Sequence, residues 1–548
     1  MPTETEHPDH HLFHDSADSQ HQRDQAQLAK FGYAQELHRS LGFFSTFAIA
    51  FSFISATNGF YALFYYGLDT GGPKALIWSW PIVVFGQLMV ALTFAEAASH
   101  YPLAGGVYQW AKRLVNGTYG WFAAWMFAGA LLVTVAGVAY GVAPIICSLF
   151  GWNASNTTIL FWIAVFYTVA PMLINILSVE ITAFFNNIGT LTEIIGLVVI
   201  AIALYIAVII GHGQHQSLSV LFNQGGTAAG HHWGYITPFL AAMLTSAWVM
   251  YGFDAAGGMA EETVNPTKEV PRAIVFSVVI TAIISAFWLV AMVLAIPNVA
   301  KTQAQGTNAI AYIFEAHYPH WVTDAFLVAV CIAIFVCCLA IQAATTRLLF
   351  AYGRDKMVPA SRFFGYVNKR TRTPMWSAIF VGAATIAVLL YSSQLAKIIA
   401  WATVGTYIVY QMVVAGAIYA RRKGWPKDKA YFNLGRWGWP VNIIALAYGV
   451  FMIIDLSWPW TTGSWFDRYL VPVSAAFVLG AGIIVYFIQR ARGVDLSGTI
   501  HEIGQSPVDA EAALAMAAGE AGKVLPAGSR VSEMTGPQRP DGPGGLGG

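Results

Sequence analysis

The 548-residue sequence has few charged residues: Asp, Glu, Lys and Arg make up 10% of it, against about a quarter in soluble globular proteins. The 29 basic and 28 acidic residues nearly cancel, so neither a basic nucleic-acid-binding face nor an acidic solvated chain is expected. The four cysteines all lie in apolar stretches, which offers no disulfide framework and no zinc motif. Apolar residues (57%) and aromatic residues (14%) dominate instead, as in a chain with many segments in a lipid bilayer.

Long apolar segments recur along the chain. A helix needs about 20 mostly apolar residues to cross the hydrocarbon core of a bilayer. By that rule the sequence predicts an all-α polytopic membrane protein with both termini on one side. The twelve predicted spans lie near 41–66, 75–99, 119–149, 158–178, 183–211, 236–259, 272–296, 322–350, 375–392, 396–420, 439–456 and 470–489.

The distribution of basic residues predicts the orientation. Eighteen Lys and Arg residues fall in the loops on the side of the termini, and four fall in the opposite loops. Because cytoplasmic loops carry the excess of Lys and Arg, we expect both termini in the cytoplasm and a multi-pass location in the cell membrane. The polar segment 1–40 and the segment 490–548, rich in Gly, Ala and Pro, are predicted to be disordered cytoplasmic tails.

Two spans carry glycine and polar residues at membrane depth: 51–60 in the first and 250–258 in the sixth. Close helix packing is one explanation for small residues at these positions. The carboxylate of Asp254 beside glycines favours a second explanation, a local break in the helix. Non-helical backbone is tolerated at this depth only where it is buried in protein or lines a cavity. Interruptions at corresponding positions of two halves indicate an inverted-repeat transporter with its binding site near the midplane.

These interruptions supply candidate substrate-binding residues. In the first span, the N–H groups of Thr57, Asn58 and Gly59 open a half-helix, where the helix dipole favours a carboxylate. In the sixth span, carbonyl groups and the Asp254 carboxylate face the amine end of the substrate, unless Asp254 caps a half-helix instead. Trp248 is either an aromatic lid or an ordinary core residue, and the same alternatives hold for Tyr251 and Phe253. The full candidate set is Ser55, Thr57, Asn58, Gly59, Trp248, Tyr251, Gly252, Phe253 and Asp254.

Three ordered motifs resemble one family of transporters. They are AEAASHYPLAGGVY at 95–108, the stretch 251–274 that begins YGFDA and ends PRAI, and TRLLFAYGRD at 346–355. Together they resemble the amino acid–polyamine–organocation superfamily, and within it the amino acid/choline branch that includes γ-aminobutyrate permeases. The resemblance covers roughly residues 35–490.

The resemblance implies the leucine-transporter fold. Residues 41–211 (spans 1–5) and 236–420 (spans 6–10) would form two inverted five-helix repeats, followed by two further helices at 439–489. It also implies import of an amino acid or related amine by proton symport, with alternating access to the midplane site and without a cofactor. The partners would be the substrate, a proton and the bilayer. A choline or polyamine permease and an amino acid exchanger remain the alternatives.

Glu193 is an ionisable residue well inside the fifth span. A carboxylate in the bilayer core is costly unless it faces a partner or a cavity. Some proton-coupled relatives place a lysine near this position, so we name Glu193 as the proton-coupling candidate. The alternative is a structural glutamate that is hydrogen-bonded to a neighbouring helix.

Other classes of protein fit the sequence less well. The apolar spans hold no HExxH pair and no nucleophile with a base, and the sequence has no Walker A motif, so an enzyme is not expected. A non-transporting sensor would need a signalling domain. Five charged residues are expected at the cytoplasmic surface, where a gating ion-pair network is a further hypothesis: Glu261, Glu262, Arg272, Arg354 and Asp355.

Overall fold

The computed structural model describes residues 9–211, 214–390, 395–460 and 464–496. Helices account for the regular structure in these ranges, where β pairing is limited to one isolated bridge between Leu41 and Thr263. The membrane-spanning helices are Phe43–Ile54 with 56–71 (span 1), 73–100 (span 2), Gly117–Gly141 (span 3), Thr157–Leu177 (span 4), Val179–Ile209 (span 5), Ile236–Val249 with Ala255–Gly258 (span 6), Pro266–Leu294 (span 7), His320–Arg354 (span 8), Met375–Leu389 (span 9), Leu395–Arg422 (span 10), Gly438–Ser457 (span 11) and Trp465–Ala491 (span 12).

Short helices connect the spans. The α-helical connections are Val107–Leu114, Ala143–Phe150, Val299–Gln303, Ala309–Glu315 and Ser361–Phe364. The 3-10 turns are Leu218–Phe222, Gly306–Asn308 and Gly435–Trp437.

The described helices account for the predicted twelve spans. Nine of them are long and apolar enough to cross a membrane, and one of the nine, Phe43–His100, has 58 residues. That length is well over twice what one crossing needs, and the helix reverses at Gly72, which has φ 71° and ψ −179°. It therefore forms spans 1 and 2. The shorter apolar helices Ile236–Val249 and Met375–Leu389 supply spans 6 and 9.

Large apolar side chains cover the outside of the bundle. On span 5, Phe184, Ile195 and Ile202 are about half exposed or more, and on span 12 Phe477 is 75% exposed. A continuous apolar exterior of this kind is unfavourable in water and matches hydrocarbon chains. The fold is therefore an all-helical membrane protein, as the sequence predicts.

Spans 1 and 6 are both interrupted, and their interruptions touch. Span 1 breaks at Ser55, whose left-handed conformation (φ 32°, ψ 89°) separates its two helices. Span 6 is non-helical over 250–254, where Gly252 has φ 109°. A Cβ atom on Gly252 would lie 2.2 Å from Cδ2 of Phe53, and one on Gly59 would lie 2.5 Å from Cγ2 of Val249. Glycine is therefore required at these two positions for the two spans to cross at their breaks.

The division into two inverted five-helix repeats, at 41–211 and 236–420, stays a prediction. The first five spans run from Phe43 to Ile209, and the next five run from Ile236 to Arg422.

The N-terminal segment differs from the expectation of disorder, because Asp9–Lys30 forms a helix. Its second half is rich in Gln, Ala and Leu, which are good helix formers, and the Gln20 amide donates to Asp24 across one turn. The predicted C-terminal tail lies outside the described residues from 497 onward.

Candidate functional site

The break in span 1 is closed by a carboxylate from span 5. The Oε1 atom of Glu193 accepts one hydrogen bond from the Ser55 hydroxyl and one from the Thr57 N–H, each at 2.9 Å. Glu193 is 3% exposed. A half-helix begins at Ala56, so this carboxylate lies at the helix end that favours negative charge.

The three N–H groups expected to bind a substrate carboxylate are engaged within the protein. Thr57 N–H donates to Glu193, Asn58 N–H donates to the Ser55 hydroxyl at 3.2 Å, and Gly59 N–H donates to the Ser55 carbonyl at 3.0 Å. These bonds form because Ser55 turns its own polar groups toward the start of the following helix. The sequence does not reveal these internal partners, and the role of the three N–H groups in substrate binding stays a prediction.

The break in span 6 is held by a tyrosine of span 10. The Tyr410 hydroxyl accepts from the Gly252 N–H at 2.9 Å and donates to the Asp254 carboxylate. Asp254 is 4% exposed, and its side chain makes no capping hydrogen bond to the short helix Ala255–Gly258. Asp254 and the opened backbone are thus joined through one hydroxyl group.

Aromatic side chains enclose this region on several sides. Tyr251 packs edge-on against Trp248 and Phe53, and its hydroxyl is 3.2 Å from the Thr134 hydroxyl of span 3. Phe253 lies away from these rings, because it packs against Phe94 and Tyr410. The sequence-named aromatics therefore split into one group beside span 3 and one residue facing spans 2 and 10.

Two buried polar atoms in this region lack a hydrogen-bond partner among the described residues: Oδ1 of Asn58 and Nε1 of Trp248. Trp248 lies near Gly137 of span 3, since a Cβ atom built there would be 3.6 Å from its ring. One helical turn after Asn58, Ala62 is close to Gly141, which lies one turn after Gly137. The Trp248 ring and the helix face that carries Ala62 therefore lie beside the same stretch of span 3.

Sequence reasoning missed three residues that shape the site. Tyr410 and Thr134 hold the span 6 break, and the Cys337 thiol of span 8 lies 3.5 Å from the Phe53 carbonyl at the end of the first half of span 1. Polar residues recurring every three to four positions in span 10 (Thr403, Tyr407, Tyr410) are a signal that marks its inner face. No group of three or more metal-ligating side chains occurs in the ranges given above.

Buried ion pairs tie together the ends of the spans on the side of the termini, although the sequence suggests a surface location. Arg347 of span 8 donates to Glu262 at 3.0 Å, and both side chains are at most 1% exposed. Arg354 makes two bonds of 2.8 Å to Glu261, which also accepts the Ala104 N–H at 3.0 Å. These charges are buried because the loop after span 6 inserts between span 8 and the segment that follows span 2.

A second cluster lies beside these pairs and is centred on Asp355. Its carboxylate accepts from Lys112 at 2.8 Å and from the Tyr108 hydroxyl at 2.7 Å. Burial acts to raise the pKa of Asp355, but the positive charges of Lys112 and Arg354 outweigh burial and hold the pKa below its usual range. Arg272, in contrast, pairs with Glu269 of its own helix and is partly exposed. The network therefore includes four of the five residues expected there.

Comparison with known proteins identifies the family. The family described as "Amino acid permease" matches residues 41–485. The chain is 27% identical over 469 residues to the amino-acid permease BAT1 of Arabidopsis thaliana, covering 79% of this chain and 88% of that protein. It is 26% identical over 458 residues to amino-acid permease 2 of Neurospora crassa, covering 79% and 81%. A Candida albicans protein with the name "Putative polyamine transporter" is 25% identical over 467 residues, covering 80% and 82%.

The family match runs from the start of span 1 into span 12 and includes both breaks. The chain belongs to the amino acid permease family of the amino acid–polyamine–organocation superfamily, and it is an integral membrane transporter of amino acids or amines rather than an enzyme.

Proposed function

We propose that this permease imports an amino acid or a related amine together with a proton, through a midplane site between the breaks of spans 1 and 6. The observation that carries the proposal is the direct contact of the two breaks, beside Asn58 Oδ1 and Trp248 Nε1, which have no partner within the described ranges. Polar groups that are buried without a partner cost free energy, and a substrate with both donors and acceptors would satisfy them. The proposed binding residues are Ser55, Thr57, Asn58, Gly59, Trp248, Tyr251, Gly252, Phe253 and Asp254.

Access would alternate by rocking of the unit formed by spans 1, 2, 6 and 7. The buried ion pairs support this, because they join the loop after span 6 to span 8, which lies outside that unit. Opening the cytoplasmic side would separate Glu262 from Arg347 and Glu261 from Arg354. The same pairs would re-form when the site faces outward.

Glu193 would carry the coupled proton. Its contact with Ser55 and Thr57 supports this role, since a change of charge on Glu193 acts directly on the break of span 1. The alternative is a structural glutamate that is hydrogen-bonded to a neighbouring helix, in which case the same two bonds only stabilise the break of span 1.

A cationic substrate such as choline or a polyamine is the second candidate. The buried Asp254 carboxylate favours it, and one relative is named as a polyamine transporter. Exchange of one substrate for another is the alternative to proton symport.

Uptake into proteoliposomes tests these proposals. The panel contains radiolabelled amino acids, γ-aminobutyrate, polyamines and choline, each measured in sodium-free buffer with and without an imposed inward proton gradient. We expect gradient-driven accumulation of an amino acid or amine. Rapid exchange against preloaded substrate without gradient-driven uptake would make the protein an exchanger. Absence of uptake of every compound in the panel would contradict the proposed substrate class.

An Asp254→Asn variant separates the two substrate classes. If Asp254 binds the amine, the variant loses uptake of choline and polyamines while the protein still inserts and folds. Asp69→Asn, a change at an exposed residue after the break of span 1, is the matched control and should retain uptake. Unchanged uptake of every substrate by Asp254→Asn would remove the amine role.

We also propose that the permease lies in the cell membrane with both termini in the cytoplasm. The excess of Lys and Arg in the loops that follow the even-numbered spans supports this orientation. An epitope at the N-terminus should react with antibody only after cells are permeabilised. Labelling of intact cells would contradict the orientation.

A further inference from the structure

We propose that Glu193 is a resident carboxylate that occupies the anion position at the break of span 1, and that the substrate's carboxylate replaces it when Glu193 is protonated. This inference rests on the proposed import function, and it specifies the substrate as a molecule with a carboxylate as well as an amine. It also states why a proton and a substrate would move together.

The geometry at the break places one carboxylate where a substrate carboxylate would otherwise bind. The Ser55 hydroxyl and the Thr57 N–H both converge on the same oxygen of Glu193 at 2.9 Å. The left-handed conformation of Ser55 directs its hydroxyl toward that oxygen and its carbonyl toward the Gly59 N–H. Because the helix that starts at Ala56 presents its positive end here, this position favours an anion.

A second anion does not fit beside the first. Two carboxylates that share one site repel each other, and one of them takes up a proton. A substrate carboxylate can therefore approach the Thr57 N–H only when Glu193 is neutral. Hydrogen bonds to an ionised carboxylate are roughly twice as strong as bonds to a neutral group, so protonation also loosens the hold of Ser55 and Thr57 on Glu193.

The surroundings of Glu193 contain few other groups that titrate. The Cys337 thiol of span 8 interacts with it electrostatically. Span 4 and the first half of span 1 contain no charged residue, and the charged residues of span 7 all lie within its first seven positions. On span 8, Arg347 is already paired with Glu262. Glu180, at the start of span 5 itself, is exposed and contacts His38.

The rest of the candidate site offers partners for the other end of such a substrate. Asn58 follows Thr57 directly, and its side-chain oxygen is a buried acceptor without a partner among the residues that the structure describes. An ammonium group is a donor that satisfies it. Because Thr57 and Asn58 are neighbours in the first turn of the half-helix, one small substrate with a carboxylate and an ammonium group would be bound at both ends by this turn.

Pairs of ligands that differ only in the carboxylate test the inference. Suitable probes are L-arginine with agmatine, L-lysine with cadaverine, and γ-aminobutyrate with propylamine, and the pair is chosen by the uptake panel. Binding to the purified full-length protein is measured between about pH 5.5 and pH 7.5, where neither member of a pair changes charge. In the wild type, the affinity for the carboxylate-bearing ligand should fall as the pH rises, by up to about tenfold per pH unit. The decarboxylated ligand should show no such dependence.

In Glu193→Gln, the pH dependence should disappear, and the carboxylate-bearing ligand should bind at neutral pH as it does in the wild type at acidic pH. Glu180→Gln on the same helix is the matched control and should retain the wild-type profile. If Glu193→Gln does not fold, Ser55→Ala removes one of the two donors without a change of charge, and it should move the pH profile toward neutral pH.

Two results would overturn the inference while leaving the import function standing. One is an equal pH dependence for both members of a pair in the wild type, and the other is a wild-type pH profile in a folded Glu193→Gln variant. Absence of both uptake and binding for every probe would instead remove the proposed function, and the inference with it.

Discussion

Replacement of Glu262 by glutamine should destabilise the protein more than any change to a surface charge. Arg347 is fully buried, and three of its contacts with Glu262 lie between 3.0 and 3.3 Å. Its Nη1 atom has no partner in the described part of the chain. Glutamine would leave the guanidinium buried without a counter-charge.

The size of the effect follows from that burial. Removing one partner of a buried ion pair costs about 3–5 kcal/mol, because the remaining charge stays in a medium of low dielectric constant. Thermal unfolding of the purified protein in one fixed detergent should show the loss as a lower melting temperature. Glu315→Gln is the control, since Glu315 and its partner His320 are 44% and 84% exposed and such a pair contributes about 0–1 kcal/mol.

A double variant separates the loss of attraction from the cost of an unpaired charge. Replacing both Glu262 and Arg347 with apolar residues of similar size should recover most of the stability, because no buried charge remains. The burial argument for Glu262 and Arg347 is wrong if Glu262→Gln has the same melting temperature as Glu315→Gln. It is also wrong if the double variant is less stable than Glu262→Gln alone.

Two further changes have outcomes set by local geometry. Gly252→Ala should abolish transport and lower the yield of folded protein, because φ is 109° and a Cβ atom would overlap Phe53. Gly196 has open space around it, so Gly196→Ala should retain both transport and yield. Uptake and size-exclusion profiles measure the two effects. Asp355→Asn should lower the melting temperature at neutral pH. The higher stability of the wild type is fully present above the unfolded-state pKa of about 3.9, and it should vanish as the pH falls through the lower folded-state pKa. A difference in melting temperature that stays constant across an acid titration would contradict the pairing with Lys112.

The span count and the positions of the two breaks could be predicted from the sequence. Hydropathy fixes the spans because each must cover the same hydrocarbon thickness, and the helices Ile236–Val249 and Met375–Leu389 show that a span can be short and still be found. The breaks could be found because glycine and polar residues at membrane depth conflict with a lipid-facing helix. Ser55 and Gly252 lie inside the two segments that carry this signal.

The partners across the bundle could not be predicted. That Glu193 would bond to Ser55 and Thr57, and that Tyr410 would hold Gly252 and Asp254, depends on how distant helices pack and in which register. A single sequence shows which side chains a helix carries but not which helix they face. For the same reason, the charged residues after span 6 suggest a surface cluster, although packing buries them.

A structure determined with the transported substrate bound tests the central claim most directly. Electron cryo-microscopy of the purified protein, with the substrate identified by uptake, would locate the ligand. We expect ligand density between the break of span 1 at Ser55 and the break of span 6 at 250–254, within hydrogen-bond distance of the Asn58 side chain. Ligand density elsewhere, with this region filled by the protein's own side chains, would contradict the proposed site.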